Sequence, residues 1–204
     1  MLDSYLGRPQ SWVAQRLDAL AGAFVERGIG ADTLTYVAVG LGLVGAGLLI
    51  AGQLAAGWCA LAGSGLLDAV DGRVARLGGG ATPWGGVLDL VCDRVVEAAV
   101  LLALALPRPE SHAAALFLLA TWYVNITVFL AVGAASKEAT HKVIAYPPGL
   151  LERSEALVFL TLAVLFPAWL GAICVVYGVL GLVTGLQRLR YGRRVLQGSD
   201  AAVS

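Results

Sequence analysis

Charged residues are scarce in this chain of 204 residues: Asp, Glu, Lys and Arg together make up 14% of it, whereas about one quarter of a soluble domain is charged. Hydrophobic residues make up 58%. The formal net charge is zero, which gives no basis for a nucleic-acid partner. The composition therefore excludes an ordinary soluble domain and predicts a protein embedded in the lipid bilayer.

Cysteine is also rare, with three residues in the whole chain. Cys59, Cys92 and Cys174 each fall within an apolar segment, without the paired spacing of a disulfide framework or a zinc site. We therefore expect three small, buried hydrophobic side chains.

Long apolar segments, by contrast, fill most of the chain. A bilayer core about 30 Å thick requires roughly 20 mostly apolar residues per helix. The sequence predicts six spans, at about 33–51, 54–77, 86–106, 111–135, 154–170 and 171–187. Before them, residues 9–27 carry apolar side chains at helical spacing, which predicts an amphipathic helix in the membrane interface. The predicted fold is an all-α integral membrane protein with six transmembrane helices after an N-terminal interfacial helix.

These segments predict three regions. Residues 1–32 form the N-terminal amphipathic helix and its connection, residues 33–190 a single domain of six transmembrane helices, and residues 191–204 a tail. With six spans, Arg108 is the one Lys or Arg that falls on the outer side. Since basic residues favour the cytoplasmic side, we expect both termini to face the cytoplasm of a bacterial or archaeal inner membrane.

Four aspartates lie within the second and third predicted spans. Asp68 and Asp71 are three residues apart and Asp89 and Asp93 four apart, so each pair projects from one face of its helix. Carboxylates inside a membrane segment are costly, and like charges repel unless a cation joins them. Oxygen ligands suit Mg²⁺ or Mn²⁺. The pattern therefore predicts a divalent metal site where the polar halves of the two spans meet.

The surrounding residues resemble the CDP-alcohol phosphotransferases, a family also called the CDP-alcohol phosphatidyltransferases, whose signature is D-x2-D-G-x2-A-R-x8-G-x3-D-x3-D. All eight fixed positions are present at the required spacing: Asp68, Asp71, Gly72, Ala75, Arg76, Gly85, Asp89 and Asp93. The family often opens its first span with Asn-x-x-Thr, where this chain has Asp32 and Thr35. A complete signature of this length is far more specific than a lone glycine motif.

The resemblance implies an enzyme of phospholipid synthesis that transfers a phosphatidyl or related group from a CDP-activated lipid to a small polar alcohol and releases CMP. It implies that Asp68, Asp71 and Asp89 bind the metal. Asp93 would complete the metal site and act as the general base. The CDP group would lie against Gly72, Ala75, Arg76 and Gly85.

The acceptor alcohol would enter between the fourth and fifth spans. Lys142 and Arg153 lie on this link, and residues 149–155 are similar to a Gly-x-x-x-Arg-x-Glu stretch of family members that use inositol phosphate. These two cations are the candidate acceptor-binding residues. Candidate acceptors are inositol phosphate, glycerol phosphate, serine and other polar-lipid alcohols. Members of the family are often dimers, so a homodimer is a further candidate assembly.

Two alternatives compete with this interpretation. The aspartates could form structural ion pairs with Arg73, Arg76 and Arg94, as we expect Glu97 to do with a neighbouring cation. They could instead line a cation pathway in a transport protein. Clustering of all four carboxylates toward one membrane face favours an enzyme over a transporter.

Overall fold

The structure, a computed structural model, describes residues 12–80, 82–140 and 153–200, and the side chains among them except at 136–140, 153–157 and 198–200. These residues are helical apart from short turns. The helices are α1 (Trp12–Glu26), α2 (Ala31–Ile50), α3 (Leu54–Leu77), α4 (Pro83–Ala105), α5 (His112–Thr140), α6 (Arg153–Leu165) and α7 (Leu170–Asp200). Short 3₁₀ turns precede α5 and α7, at Pro109–Ser111 and Pro167–Trp169.

Three segments in the described residues are long and apolar enough to cross a bilayer: Ala31–Ile50, Pro109–Ala135 and Pro167–Gln197. They confirm an all-helical integral membrane protein. The remaining predicted spans are not long or apolar enough by the same measure. The helices α3 and α4 carry charged residues in one half, and α6 has 13 residues. The full set of six spans therefore stays a prediction, as does the interfacial position of α1.

The ends of several helices differ from the predicted ones. α3 spans the predicted residues, whereas α4 begins at Pro83 because Thr82 caps it: the Thr82 Oγ1 accepts a hydrogen bond from the Gly85 amide at 2.9 Å, and proline suits the first helical position. The last helix does not end near residue 187 but continues to Asp200. No proline interrupts it, and its continuation packs against α5.

The chain divides into two compact units. Of the described residues, the N-terminal unit comprises 12–80, 82–109 and 160–167 and contains α1 to α4; the C-terminal unit comprises 110–140, 153–159 and 168–200 and contains α5 and α7. In the N-terminal unit α2 packs against both α3 and α4, and α1 packs against α3. The helix α2 is thus the shared support of the two helices that carry the aspartates.

Close backbone approach joins α2 to α3. A Cβ atom placed at Gly45 would lie 3.1 Å from the carbonyl oxygen of Gly57, and the reverse distance is also 3.1 Å. Nearer the site, the Ser64 hydroxyl donates to the Ala38 carbonyl at 2.7 Å. Small residues with cross-helix hydrogen bonds are a usual means of helix association in lipid, and here they fix α3 against α2.

In the C-terminal unit α5 packs against α7. Gly178 of α7 faces Phe117, the Gly181 carbonyl accepts from Asn125 Nδ2 at 3.1 Å, and a Cβ at Gly192 would lie 2.8 Å from Val132. The contact points advance together along both helices. We conclude that α5 and α7 run parallel, as the fourth and sixth predicted spans should.

The expectation of three buried cysteines is correct for one of them. Cys174 is buried, Cys92 is half-buried and Cys59 is exposed. The prediction for Cys59 was wrong because an apolar segment of a membrane helix can face lipid as well as protein, so hydrophobicity there does not imply burial.

Candidate active site

The site is built on α3 and α4. Carboxylate oxygens of Asp68, Asp71 and Asp89 lie within 4.8 Å of one another. Asp71 is buried, with 5% of its surface exposed, and the other two are half-buried. Two helices that both pack against α2 thus bring together three of the four carboxylates that the sequence singles out.

Thr35 of α2 orients the buried carboxylate. Its hydroxyl donates to Asp71 Oδ2 at 2.6 Å, and Thr35 is itself buried. A charge-assisted hydrogen bond of this length is stronger than a neutral one. It leaves lone pairs of Asp71 available to a cation while fixing the direction of the carboxylate.

Gly85 lies at the edge of the site, in the first turn of α4. A Cβ atom there would lie 3.2 Å from Thr82 Oγ1 and 3.6 Å from Asp32 Oδ1. The absence of a side chain therefore keeps the capping hydroxyl in place and leaves room beside the Asp32 carboxylate. Gly85 is a fixed position of the family signature, whereas the capping role of Thr82 was not predicted from the sequence.

An open surface adjoins the carboxylates on α3. Gly72 is exposed, and the nearest described atom to a Cβ placed there is Arg76 Nη1 at 3.8 Å. Arg76 is exposed and Ala75 is half-buried. A guanidinium beside an open backbone is well suited to bind phosphate oxygens.

Asp93 is half-buried one turn beyond Asp89 and does not belong to the group of three. Its predicted part in metal binding and as a base stays a prediction. Lys142 lies outside the described residues. Arg153 is the first residue of α6, and its side chain is not among those that the structure describes.

Two arginines near the site pair with other acids. Arg73 forms an ion pair with Asp18 of α1, and Arg94 pairs with Glu97 at 2.8 Å. The structural pairing expected for Glu97 is confirmed. These pairs weaken the alternative in which Arg73 and Arg94 exist to neutralise the aspartates.

The donor set fits a hard divalent cation. The three converging groups are carboxylates, without sulfur or nitrogen, and their spacing would place repelling charges together in a partly buried location. Mg²⁺ and Mn²⁺ prefer oxygen ligands of this kind. Three such carboxylates could hold one cation, with water or phosphate oxygens completing its coordination.

The sequence did not predict the contact of Thr35 with Asp71 or that of Asp18 with Arg73. The Asp32–Thr35 segment signalled Thr35, because it occupies the threonine position of the Asn-x-x-Thr pattern. Nothing in the spacing of Asp18 and Arg73, 55 residues apart, pointed to their pairing.

The fold and the site together define an integral membrane protein with a carboxylate site suited to divalent metal. The sequence model of the CDP-alcohol phosphatidyltransferase family matches residues 29–187. The chain belongs to this family and is a CDP-alcohol phosphotransferase of the phosphatidyltransferase class. Membership favours the enzyme over the transporter.

Relatives cover most of the chain. Inner membrane protein YnjF of Escherichia coli is 32% identical over 178 residues, which are 83% of this chain and 86% of that protein. Phosphatidylinositol phosphate synthase of Mycobacteroides abscessus is 30% identical over 184 residues, 86% and 83% of the two chains.

Solved structures of the Mycobacterium tuberculosis phosphatidylinositol phosphate synthase share the fold. The structure with CDP-DAG bound has a TM-score of 0.71 and 27% identity, covering 88% of this chain and 94% of that one. The complex with manganese and citrate has a TM-score of 0.70 and 27% identity, covering 86% and 88%.

Proposed function

We propose that this enzyme transfers a phosphatidyl group, or a related phospholipid group, from a CDP-linked lipid such as CDP-diacylglycerol to a small polar alcohol and releases CMP. The observation that carries the proposal is the convergence of Asp68, Asp71 and Asp89 within 4.8 Å, beside the open surface at Gly72. Family membership supports the reaction type, and the similar structure solved with CDP-DAG bound supports the donor.

The metal would be Mg²⁺ or Mn²⁺, held by Asp68, Asp71 and Asp89 with Asp93 completing the site. When bound, it supplies positive charge that neutralises the diphosphate and the leaving oxygen. Thr35 keeps Asp71 directed toward the other two carboxylates. The remaining steps depend on side chains of the protein.

The donor would lie along Gly72, Ala75, Arg76 and Gly85. The missing side chains at the two glycines let the diphosphate approach the backbone. The Arg76 guanidinium would bind phosphate oxygens through two parallel hydrogen bonds. These contacts would hold the scissile phosphorus near the carboxylates while the lipid tails remain in the bilayer.

Asp93 would act as the general base. One turn from Asp89, it is placed to accept the proton of the alcohol hydroxyl as that oxygen attacks the phosphorus beside the lipid. The new bond joins the alcohol oxygen to this phosphorus, and the bond from phosphorus to the bridging oxygen of CMP breaks. CMP then leaves with the electron pair of that bond.

Inositol phosphate is the acceptor that we propose. The names of several relatives support it. The sequence supports it too, because Lys142 and Arg153 lie on the link between the fourth and fifth predicted spans, where two cations would meet an acceptor phosphate. Losing one charged hydrogen-bond partner costs about 1.5 to 3 kcal/mol. Arg153→Ala should therefore raise the KM for inositol phosphate by roughly ten- to hundredfold, with the KM for donor unchanged.

The architecture proposed for this function has residues 1–32 as an interfacial helix with its connection, 33–190 as a six-helix catalytic domain and 191–204 as a tail, of which the residues up to Asp200 continue α7 as a helix. The active site would face the cytoplasm of a bacterial or archaeal inner membrane. The distribution of Lys and Arg supports this orientation. A homodimer is proposed as the assembly by analogy with the family.

The direct test is an assay of purified protein with CDP-diacylglycerol, Mn²⁺ or Mg²⁺ and a panel of acceptors. CMP release and mass spectrometry of the lipid identify the reaction and the product. We expect release that depends on metal and on inositol phosphate, and that disappears in Asp89→Asn. Failure of every acceptor to release CMP would refute the proposed activity, and preference for glycerol phosphate or serine would refute the proposed acceptor.

A further inference from the structure

The helix α1 packs directly behind the part of α3 that carries the metal ligands. Ala21 of α1 and Val70 and Val74 of α3 are at most 2% exposed and belong to one hydrophobic cluster. Val70 directly precedes Asp71 in the chain. At 100° per residue, Val70 and Val74 lie well away from Asp68 around α3, whereas Val74 is only about 60° from Asp71. The core contact with α1 therefore borders the Asp71 side of the carboxylate site, on the same turns of α3.

An ion pair reinforces this contact. Arg73 Nη1 pairs with Asp18 Oδ1 and also donates to the Ala14 carbonyl at 3.3 Å, so that one guanidinium meets two points on α1. The Arg73 side chain is 16% exposed and that of Asp18 is 53% exposed. Position 73 is a variable position of the family signature, between the fixed Gly72 and Ala75. Its cation is directed to α1.

The end of α3 has reason to need such support. Three carboxylates within 4.8 Å repel one another until a cation binds, which favours movement of α3 away from α4. After α3 the chain continues through Gly78, Gly79 and Gly80, and the last two have φ angles of 126° and 112°. Glycine in such a conformation restrains the backbone weakly. Restraint of this part of α3 therefore has to come from helices packed against it.

We propose that α1 is a positioning element for the metal site, with Asp18 and Arg73 as its positioning residues. The pair would hold the rotation and position of α3 at which Asp68 and Asp71 converge with Asp89 before metal binds. Neither residue would touch substrate or metal. The expected effect on CMP release rests on the proposed function, whereas the expected effect on Mn²⁺ binding does not depend on it.

The test measures Mn²⁺ binding by electron paramagnetic resonance on purified protein, alongside CMP release. The variants are Asp18→Asn, Arg73→Gln and the two combined. Exposed ion pairs contribute about 0.2 to 1 kcal/mol, so we expect each single variant to raise the Kd for Mn²⁺ by a factor of about 1.4 to 5. Because both remove the same contact, the double variant should bind no more weakly than the weaker single one. Arg73→Lys should restore most of the affinity.

Matched controls lie on α1 itself. Glu26→Gln and Arg16→Gln remove one negative and one positive charge at exposed positions, and both should bind Mn²⁺ as the unmodified protein does. Wild-type affinity in Asp18→Asn would overturn the proposal. So would additive losses in the double variant, because Arg73 would then act on the site without α1. Absence of CMP release from the unmodified protein would refute the proposed function, while the Mn²⁺ titrations would still decide the positioning role.

Discussion

At the scale of single residues, the site separates groups that bind from groups that react. Asp68, Asp71 and Asp89 converge, while Asp93 stands one turn away. Like charges held together are the usual sign of a cation site, whereas a base needs only to reach the proton that it removes. The two kinds of aspartate should therefore respond differently to the same substitution.

Replacement by asparagine keeps side-chain volume and removes charge. Asp89→Asn should abolish both Mn²⁺ binding and CMP release. Asp93→Asn should weaken Mn²⁺ binding less than Asp89→Asn does and should retain donor binding, but should lose turnover by about 10²- to 10⁴-fold, the usual contribution of a general base. Mn²⁺ titration and single-turnover CMP release measure the two effects. Full turnover in Asp93→Asn would exclude its role as the base.

Gly85 and its neighbour Gly86 form a matched pair for testing the edge of the site. A Cβ at Gly85 would lie 3.2 Å from the capping hydroxyl of Thr82, whereas no described atom lies within 4 Å of one at Gly86. We expect Gly85→Ala to raise the KM for CDP-lipid donor, because the methyl group crowds both the cap and the open backbone. Gly86→Ala should be neutral or slightly stabilising, as alanine favours helix by about 1 kcal/mol.

Steady-state kinetics with varied donor, together with thermal unfolding in detergent, separates loss of binding from loss of fold. Equal donor KM values for Gly85→Ala and Gly86→Ala would contradict the assignment of Gly85 to the donor surface.

At the scale of helices, the sequence pattern predicted the features that depend on residues close together in the chain. The bounds of α3 were predicted correctly because its apolar half and its polar half are both flanked by turn residues. The convergence of the aspartates also followed from their spacing and from the signature. The contact between Asp18 and Arg73 could not be predicted, because it depends on how α1 packs against α3. The length of α7 was missed because its polar second half resembles a tail until α5 is seen against it.

The packing of α7 against α5 should be sensitive at one glycine. A Cβ at Gly192 would lie 2.8 Å from Val132 Cγ atoms, while no described atom lies within 4 Å of one at Gly185. Overpacking of this kind costs about 1–3 kcal/mol. Gly192→Val should lower the thermal unfolding temperature in detergent, and Gly185→Ala should not. An unchanged melting curve for Gly192→Val would mean that the two helices separate without cost at this point.

At the scale of the whole molecule, the lopsided charge distribution predicts how the chain is inserted. Three apolar segments qualify as spans by composition, and the six-span arrangement needs α3 and α4 to cross as well. Their polar halves carry the site, so the orientation of these two helices decides which side of the membrane holds the chemistry.

Single cysteines at Arg76 and Arg108, in a background lacking Cys59, Cys92 and Cys174, test this orientation. Arg76 lies near the end of α3, and Arg108 follows α4 and donates to the Leu104 carbonyl at 2.6 Å. A membrane-impermeant maleimide should label the two positions from opposite sides of sealed vesicles. Labelling of both from one side would rule out a crossing by α4 and with it the six-span arrangement.

The unbroken course of α7 also makes the protein a candidate for a rigid fusion. Its 31 residues extend about 46 Å at about 1.5 Å per residue, which exceeds the roughly 30 Å of a bilayer core. A fusion partner whose first helix continues α7 without a break after Gln197 would have a fixed orientation relative to this protein. Each added residue would rotate that partner by about 100°. The last helix could therefore carry an alignment marker for electron microscopy whose orientation is chosen by counting residues.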